Sequence, residues 1–208
     1  MNPALPSELK TRLEARQVDR SVLLRFAPSH TRRQRLDAPP ADARPASVFV
    51  LLYQRDSAWH LPLVVRPTHL KHHQGQIALP GGAQEPGERL DDTALRELGE
   101  ELGIATSGVQ VLGALTPFFV PASRFLVHPW VGWLAAAPDI RANPNEVESV
   151  LETPLASLAR PDALATEQRE LAGERAEVPF FSVGPHKVWG ATCIVLGELV
   201  TVCEGMAI

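Results

Sequence analysis

Three glutamates in the segment RELGEELGI, residues 96–104, have the spacing of a single chemical site. If this segment is helical, Glu97, Glu100 and Glu101 lie on one face, because three or four residues make about one helical turn. The leucines of the segment lie on a different face, which is suited to pack on a core. Carboxylates held this close weaken a helix and raise one another's pKa. The pattern therefore predicts a positively charged partner at the acidic face.

A divalent cation would satisfy that requirement. Mg²⁺ takes oxygen ligands, and in proteins it commonly binds a few carboxylates together with substrate phosphates and water. The alternative is a solvated acidic face, which is the usual outcome for a run of like charges. The glycines before the segment favour the metal hypothesis, because Gly81 and Gly82 permit the close backbone approach that a metal ion or a diphosphate needs.

The residues around the acids follow a longer pattern. Gly82 is followed after five residues by Glu88, and after seven more by the segment that runs from Arg96 to Ile104. Every defined position resembles the Nudix box, the loop-helix-loop motif of the Nudix hydrolases. The resemblance implies structural roles for three residues of the motif: Glu88 pairs with Arg96, and Gly103 ends the helix in a left-handed conformation.

The resemblance also implies a fold and a chemistry. The expected fold is the α/β Nudix fold, a mixed β-sheet sandwiched between α-helices. In Nudix enzymes the acids that match Glu97, Glu100 and Glu101 are catalytic and hold Mg²⁺ or Mn²⁺, to which the carbonyl that matches Gly81 adds a ligand. The metal neutralises a diphosphate and lowers the pKa of an attacking water. The expected reaction is hydrolysis of a nucleoside diphosphate linked to another group.

The segment PLVVRPTHLKHHQGQIALPGG, residues 62–82, narrows the expected substrate. It resembles the signature that coenzyme A diphosphatases of the Nudix family carry before the box. The matching residues are Leu63, Arg66, Gly75, Pro80, Gly81 and Gly82. The departures are Pro62 for Leu, Val64 for Thr, Pro67 for Ser or Ala, Lys71 for Arg and Leu79 for Phe. Lys71 keeps the positive charge but loses the bidentate fork of arginine.

From this resemblance we predict a set of substrate-binding residues: Arg66, Lys71, Gly75, Gly81 and Gly82. Charged hydrogen bonds to phosphate suit the two basic side chains, which are expected to contact the diphosphate or the 3′-phosphate of coenzyme A. The alternative for both is a solvated strand end.

Glu146 is the predicted catalytic acid outside the box. Many Nudix proteins carry a loop acid at this place, which joins the metal cluster or acts as the base. Glu148 and Glu152 are neighbours that would serve equally, and an acid that favours the start of a helix is the structural alternative for Glu146.

Histidines and tryptophans offer weaker candidates for a site. The histidines His69, His72 and His73 have no cysteine or fourth ligand nearby, so a phosphate contact or surface exposure fits them better than zinc. The tryptophans Trp130, Trp133 and Trp189 would stack on adenine if exposed, but large aromatics in β-rich segments more often belong to the core.

The rest of the chain predicts one domain with an N-terminal extension. Its 208 residues, 45% of them hydrophobic, suffice for one core. Residues 1–46 are expected to form a helix from Ser7 to about Gln17 and a Pro/Arg-rich arm, and residues 47–208 the Nudix hydrolase domain. SVFVLLYQ and WHLPLVVR predict a β-hairpin, and VQVLGAL and FLVHPWVGWLA two more strands. EVESVLETPLASLA is expected to be partly helical, and VWGATCIVLGELVTV to form a buried final helix.

Composition limits the classes of partner. A net charge of −4 gives no general attraction to nucleic acid or to an anionic membrane. No segment approaches the length of a membrane span, and the start of the chain lacks the apolar run of a leader. Cys193 and Cys203 fit neither a disulfide framework nor a zinc pattern, which favours a reducing, cytoplasmic location. The expected partner is a small nucleotide, and the Pro-rich arm leaves a homodimer open.

The sequence thus predicts a metal-dependent Nudix diphosphatase that cleaves coenzyme A or a derivative of it into 3′-phospho-AMP and a phosphopantetheine. ADP-ribose is an alternative substrate, because Pro117 and Pro121 bracket the position of a proline common in enzymes for that compound. A diadenosine polyphosphate substrate is disfavoured, because the tyrosine typical of those enzymes after the box is missing. A regulator that only binds a nucleotide is the alternative outside enzymes, and the intact box acids argue against it.

Overall fold

The computed structural model describes residues 4–15, 21–32, 39–68, 75–171 and 173–208. The helices are α1 (Leu5–Ala15), α2 (Ser21–Arg25), α3 (Ser29–Arg32), α4 (Leu90–Leu102), α5 (Leu155–Leu158) and α6 (Gly190–Val202), with a 3₁₀ turn at Thr106–Gly108. The strands are β1 (Arg44–Arg55), β2 (Ala58–Val65), β3 (Ile77–Ala78), β4 (Gly81–Ala83), β5 (Gln110–Ala114), β6 (Phe118–Val120), β7 (Phe125–Leu134), β8 (Ser149–Pro154), β9 (Leu164–Leu171), β10 (Glu174–Val183) and β11 (His186–Trp189).

A mixed sheet built around β1 forms the centre of the fold. β1 pairs in parallel with β7, and antiparallel with β2 and β4. The antiparallel partners of β2 are β3 and β8, and those of β7 are β5 and β6. A parallel pair requires a crossover connection, and the chain between β1 and β7 contains α4. The topology therefore brings the acidic helix onto the central strands.

β1 and β2 form the hairpin that the sequence predicts. Asp56 and Ser57 between them have φ angles of 50° and 63°. Two left-handed residues in succession are typical of a type I′ turn, whose twist matches that of the strands it joins. The pairs Tyr53 with His60 and Arg55 with Ala58 fix the register.

The sheet buries a hydrophobic layer on each face. On one face Phe49 and Leu51 of β1 pack with Leu98 of α4. On the opposite face Val50 and Leu52 pack with apolar residues of α1, α2 and α6. Successive side chains of a strand point to opposite faces, so an unbroken apolar run in β1 serves both layers. The predicted α/β architecture, a mixed sheet between helices, is confirmed.

The segment EVESVLETPLASLA is helical over a shorter stretch than expected. Ser149–Pro154 is strand β8, and only Leu155–Leu158 is helical. β8 pairs along β2 from Ser149 with Val65 to Pro154 with His60. The sheet edge therefore overrides the weak helix propensity of the segment.

A second sheet follows in the order β9-β10-β11, all antiparallel, and the sequence analysis does not anticipate it. In β9, the segment LATEQREL alternates exposed and partly buried residues along its length. Its polar and charged residues conceal this period-two pattern, because few of the inward positions are apolar.

Helix α1 belongs to the main core. It begins at Leu5, two residues before the predicted cap Ser7, whose hydroxyl donates instead to the carbonyl of Ala4 at 2.9 Å. Leu9 is fully buried in the layer that includes α6. Arg12 Nη1 donates to the carbonyl of Val202 at 2.9 Å, at the end of α6 where a helix carries partial negative charge. The division of the chain at residue 46 stays a prediction, since β1 already begins two residues earlier.

The cysteines behave as buried thiols. Cys193 and Cys203 are both free and buried, and burial raises the pKa of each to about 12. Thiols of this kind are almost entirely protonated at neutral pH, so they are poor nucleophiles and poor metal ligands. Among the residues described, no helix is long and apolar enough to cross a membrane.

Because α1 lies in the core, truncating it should destabilise the whole protein. We expect Leu9→Ala to lower the free energy of unfolding by about 2–5 kcal/mol, the usual cost of a large apolar side chain removed from a core. Urea denaturation of Lys10→Ala, a change at an exposed position of the same helix, provides the control. Equal stability of the two variants would show that α1 is dispensable.

Candidate active site

A glycine pair places the start of the site against the central strand. Gly81 and Gly82 pair with Val48 and Ser47 of β1. A Cβ at Gly81 would lie 2.3 Å from the carbonyl oxygen of Ser47, and one at Gly82 would lie 2.2 Å from a carboxylate oxygen of Glu97. Any side chain at these two positions would therefore collide with β1 or with the acidic helix.

Glu88 anchors the loop before α4 to the helix itself. Its carboxylate accepts from Arg96 Nε at 2.9 Å and Nη2 at 3.2 Å, a bidentate pair. The same carboxylate accepts from Thr93 Oγ1 at 2.7 Å and from the backbone N–H of Glu85 at 3.1 Å. The hydrogen bonds from Arg96 are the main reason that the pKa of Glu88 falls to about 2. Glu88 is thus ionised throughout the neutral range.

Arg96 is also the charge partner of two acids of the box, Glu97 and Glu100. Its Nη1 donates to Glu97 Oε1 and to Glu100 Oε2, each at 2.9 Å. Glu97 is largely buried, and burial is the main reason that its pKa is raised. The pair with Arg96 opposes this rise, and the charge of Glu100 adds to it. The positive partner that the sequence predicts for the acidic face is, in this structure, a guanidinium from the same helix.

Glu101 is the most buried acid of the site. Only 4% of the residue is exposed, and its Oε2 accepts from the backbone N–H of Gly81 at 3.3 Å. Burial, with the charge of Glu97 adding to it, raises the pKa of Glu101 to about 8, while the charge of Arg66 opposes the rise. Burial therefore favours the protonated form of this carboxyl.

The loop after β7 brings Glu146 to the same place. The N–H of Arg141 donates to the carbonyl of Leu102 at 2.8 Å, and the N–H of Asn143 to that of Glu101 at 2.9 Å, so the loop is bound to the last turn of α4. Glu146 is exposed, and its charge contributes to the raised pKa of Glu101. The structure therefore brings Glu146 within electrostatic range of the box acids.

The end of α4 depends on a glycine. Gly103 has a φ of 65°, and its N–H donates to the carbonyl of Gly99. A Cβ at Gly103 would lie 2.7 Å from the carbonyl oxygen of Arg141. Gly103 thus both ends the helix in the left-handed conformation and lets the loop that carries Glu146 approach it.

Arg66 and Gly75 of the upstream signature meet through their backbones. The N–H of Gly75 donates to the carbonyl of Arg66 at 3.0 Å, and the N–H of Arg66 to the carbonyl of Gln76 at 3.0 Å. Arg66 Nε is buried and has no hydrogen-bond acceptor among the described residues. Lys71 lies outside the described residues, as do His69, His72 and His73.

Ser47 is a site residue that the sequence analysis misses. It is fully buried, and its hydroxyl has no hydrogen-bond partner in the described part of the chain. Ser47 pairs with Gly82, so its side chain lies on the sheet face that Glu97 covers. No sequence signal marks it, because it lies within the apolar run of a central strand, far from the box along the chain.

The donor chemistry of the site fits a divalent cation. Glu97, Glu100, Glu101 and Glu146 supply only oxygen ligands, and the buried carboxyl of Glu101 lacks a full counter-charge when it is ionised. The carboxylates do not converge, however: within the described ranges, no three Asp, Glu, His or Cys side chains are arranged as metal ligands. Glu97 and Glu100 are held by Arg96, so a metal would have to compete with its guanidinium for them.

Comparison with known proteins agrees with this geometry. Residues 43–173 match the sequence profile of the NUDIX domain. The chain belongs to the Nudix family. The matched range contains the glycine pair, α4 and the loop acid, and the Nudix fold predicted from the sequence is confirmed.

Related Nudix proteins extend the comparison beyond the box. The Nudix hydrolase NudL of Photorhabdus laumondii is 34% identical over 159 residues, which are 70% of this chain and 83% of the relative. The mitochondrial coenzyme A diphosphatase NUDT8 of Homo sapiens is 35% identical over 159 residues, 74% of this chain and 67% of the relative. A solved MutT/nudix family protein from Enterococcus faecalis has a TM-score of 0.52 at 20% identity, covering 96% of this chain and 75% of that one, which shows the fold alone.

Loss of the Glu88 carboxylate should loosen the motif. We expect Glu88→Gln to lower the free energy of unfolding by about 1.5–3 kcal/mol at pH 7, the usual value of a hydrogen bond to a charged group. Because the folded pKa is lowered, the stabilisation is complete above the ordinary value of 4.5 and is lost as the pH falls towards about 2. Urea denaturation between pH 7 and pH 3 measures the difference, with exposed Glu85→Gln as control; a difference that stays constant with pH would contradict the assignment.

Replacing Glu101 should have the opposite effect. Its folded pKa is raised to about 8, so its contribution to stability is complete below 4.5 and declines as the pH rises through 8. In the presence of a chelator, Glu101→Gln should therefore unfold at a higher temperature than the wild type at pH 8–9 and at a similar temperature at pH 5. Each kcal/mol gained in the free energy of unfolding should raise the melting temperature by about 2–4 °C. Mg²⁺ or Mn²⁺ should raise the melting temperature of the wild type more than that of the variant.

The control for this comparison is Glu85→Gln, since Glu85 is exposed and lies outside the ion pairs of Arg96. Its melting temperature should follow that of the wild type from pH 5 to pH 9. Parallel curves for Glu101→Gln and the wild type across this range would show that Glu101 is not a destabilised buried charge.

Proposed function

We propose that this Nudix hydrolase cleaves the diphosphate bond of coenzyme A or one of its derivatives, giving 3′-phospho-AMP and a phosphopantetheine. The observation that carries the proposal is Arg66. It is a matched residue of the coenzyme A diphosphatase signature, it lies close enough to lower the pKa of Glu101, and its Nε is a buried donor without an acceptor in the described residues. A buried guanidinium donor beside the carboxylates is suited to a phosphate oxygen.

Similarity supports the same substrate. The human relative named a coenzyme A diphosphatase matches 74% of this chain, which is more than the box alone accounts for. NudL of Photorhabdus laumondii, at comparable identity, carries no substrate in its name, so family membership by itself leaves the linked group open.

The proposed role of each residue follows from its position in the site. Gly81 and Gly82 leave the backbone open to a diphosphate, and Arg66 Nε donates to a phosphoryl oxygen. Glu97, Glu100, Glu101 and the carbonyl of Gly81 would hold Mg²⁺ or Mn²⁺, and the cation would neutralise the diphosphate and lower the pKa of the attacking water.

Glu146 is the acid best suited to take a proton. Its carboxylate is exposed, in contrast to that of Glu101, and its loop is bound to the end of α4 through the N–H groups of Arg141 and Asn143. In the proposed reaction Glu146 accepts a proton from the attacking water. Glu148, two residues on, begins the pairing with β2 through its backbone N–H, which donates to the carbonyl of Val65.

ADP-ribose is the second candidate substrate, because Pro117 and Pro121 flank β6 where enzymes for that compound commonly carry a proline. Both substrates share the adenosine diphosphate half, and they differ in the group beyond the second phosphate.

The two free, buried thiols are in keeping with a cytoplasmic location.

Product formation from a substrate panel tests the proposal. Coenzyme A, acetyl-coenzyme A, ADP-ribose, NADH and nucleoside triphosphates are incubated with Mg²⁺ or Mn²⁺ and separated by chromatography. We expect coenzyme A to give phosphopantetheine, Glu101→Gln to lose at least about 10³-fold in kcat, and Arg66→Ala to lose about 10- to 100-fold in kcat/KM. Arg160→Ala, which removes an exposed arginine paired with Asp162, is the matched control.

Each alternative has its own outcome in this panel. Cleavage of ADP-ribose without cleavage of coenzyme A would retain the hydrolase and overturn the substrate. Binding of a nucleotide with metal, without turnover of any compound, would favour a regulator.

A further inference from the structure

An open cleft of about 510 Å³ lies along strand β8, which follows the loop of Glu146. Residues 150–154 of β8 form one wall, and residues 182–186, around the turn between β10 and β11, form the other. Ser157 of α5 contributes to the lining. The volume is within the range of about 300–1,000 Å³ that small-molecule sites occupy. None of the residues assigned above to the diphosphate lines this cleft.

The wall formed by β8 is the edge of a strand. Successive residues of a strand point to opposite faces, so a sheet face would contribute alternate residues to a cleft. Here five consecutive residues line it, which indicates that the backbone edge itself faces the opening. Within the described ranges β8 pairs with β2 and with no other strand. Its outer edge therefore offers backbone N–H and C=O groups to a ligand, except at Pro154, which has no N–H and whose carbonyl accepts from Ser157 Oγ at 2.6 Å.

One end of the cleft adjoins the candidate site. Ser149, the first residue of β8, pairs with Val65, which directly precedes Arg66. The N–H of Glu148 donates to the carbonyl of Val65 at 2.8 Å, so the loop that carries Glu146 leads straight into this edge. If the diphosphate of a substrate lies at Arg66, the group linked to its second phosphate would enter the cleft.

The lining suits an uncharged chain. No lysine or arginine of the described chain lines the cleft, so it offers little to a further phosphate. The carboxylate of Glu152 is already engaged, because it accepts from Tyr53 Oη at 2.5 Å and pairs with Arg55. The hydroxyl groups of Ser157 and Thr153 donate to the carbonyls of Pro154 and Leu151. What remains is the hydroxyl of Ser182, the imidazole of His186, apolar side chains and the edge of β8.

We propose that this cleft receives an extended, uncharged chain that carries amide groups, which in coenzyme A is the pantetheine arm. The inference rests on the proposed function. The two amides of the arm pair with the outer edge of β8 as an added strand would. The five residues of β8 that line the cleft extend over roughly 16 Å, which accommodates both amides in line.

Blocking the cleft tests this inference. Ser182→Trp introduces a large side chain at an exposed residue of the wall, and Thr166→Trp, at an exposed residue of β9 outside the cleft, is its matched control. The substrates are coenzyme A and a short alkyl ester of adenosine 3′-phosphate 5′-diphosphate, which keeps the nucleotide and lacks both amides. We expect Ser182→Trp to raise KM for coenzyme A about 10-fold or more, as for two lost backbone hydrogen bonds, and to leave kcat/KM for the ester unchanged.

Free pantetheine provides a second measurement that needs no variant. It should inhibit cleavage of coenzyme A by the wild type competitively, and it should inhibit Ser182→Trp at least several-fold more weakly. Both results together would support the amide subsite. Thr166→Trp should match the wild type in KM and in inhibition.

The failures of the two proposals differ. If the wild type cleaves ADP-ribose or the alkyl ester but not coenzyme A, the proposed function is wrong and this inference falls with it. If coenzyme A is cleaved and Ser182→Trp leaves its KM unchanged, or impairs both substrates equally, only the subsite is wrong. If Ser182→Trp differs from the wild type in the molar mass measured by light scattering and leaves KM unchanged, a second copy of the chain covers the edge of β8, which also overturns the subsite.

Discussion

The candidate site depends on one guanidinium. Arg96 joins Glu88 of the preceding loop to Glu97 and Glu100 of its own helix, and its Nη2 reaches the carbonyl of Ala83 in β4 at 3.2 Å. Loop, helix and strand therefore meet at a single planar group. A lysine would supply the charge but not the several fixed directions of donation that this arrangement uses. Without Arg96, the acids of α4 would repel one another and the loop would lose its attachment to the helix.

Among the described residues, Glu101 is the acid of the proposed metal-binding face of α4 that makes no hydrogen bond with Arg96, and its position links stability to chemistry. Its carboxyl lies beneath the glycine pair, with a backbone N–H of Gly81 as a partner and with Glu97 nearby. Burial makes its ionised form unfavourable, so the metal-free fold favours the proton. A divalent cation favours the ionised form instead. The pH dependence of stability and the affinity for metal thus arise from the same unfavourable buried charge. A substitution that removes this charge should raise the stability at high pH and weaken the binding of metal.

The parts predictable from sequence are those in which local spacing decides the structure. The hairpin at Asp56 and Ser57 and helix α4 follow from residues close together in the chain, and the pair of Glu88 with Arg96 follows from the resemblance to the Nudix box. The second sheet is different, because the polar segment LATEQREL becomes a strand only through its pairing with β10. The position of Ser47 depends likewise on which strand lies beside Gly82, and a residue pattern carries no information on that pairing.

The segment from residue 141 to residue 154 shows how the fold couples chemistry to substrate choice. Its start is bound through backbone groups to the carbonyls of Leu102 and Glu101, an approach that the missing side chain of Gly103 permits. Its middle carries Glu146, and its end is strand β8, the proposed support for the substrate's amide chain. Because this segment is bound to α4 at its start and to β2 at its end, the helix end helps to set the position of both the loop acid and the strand. Changes at Gly103 would therefore be expected to alter both turnover and preference for the linked group, whereas changes in the cleft would alter preference alone.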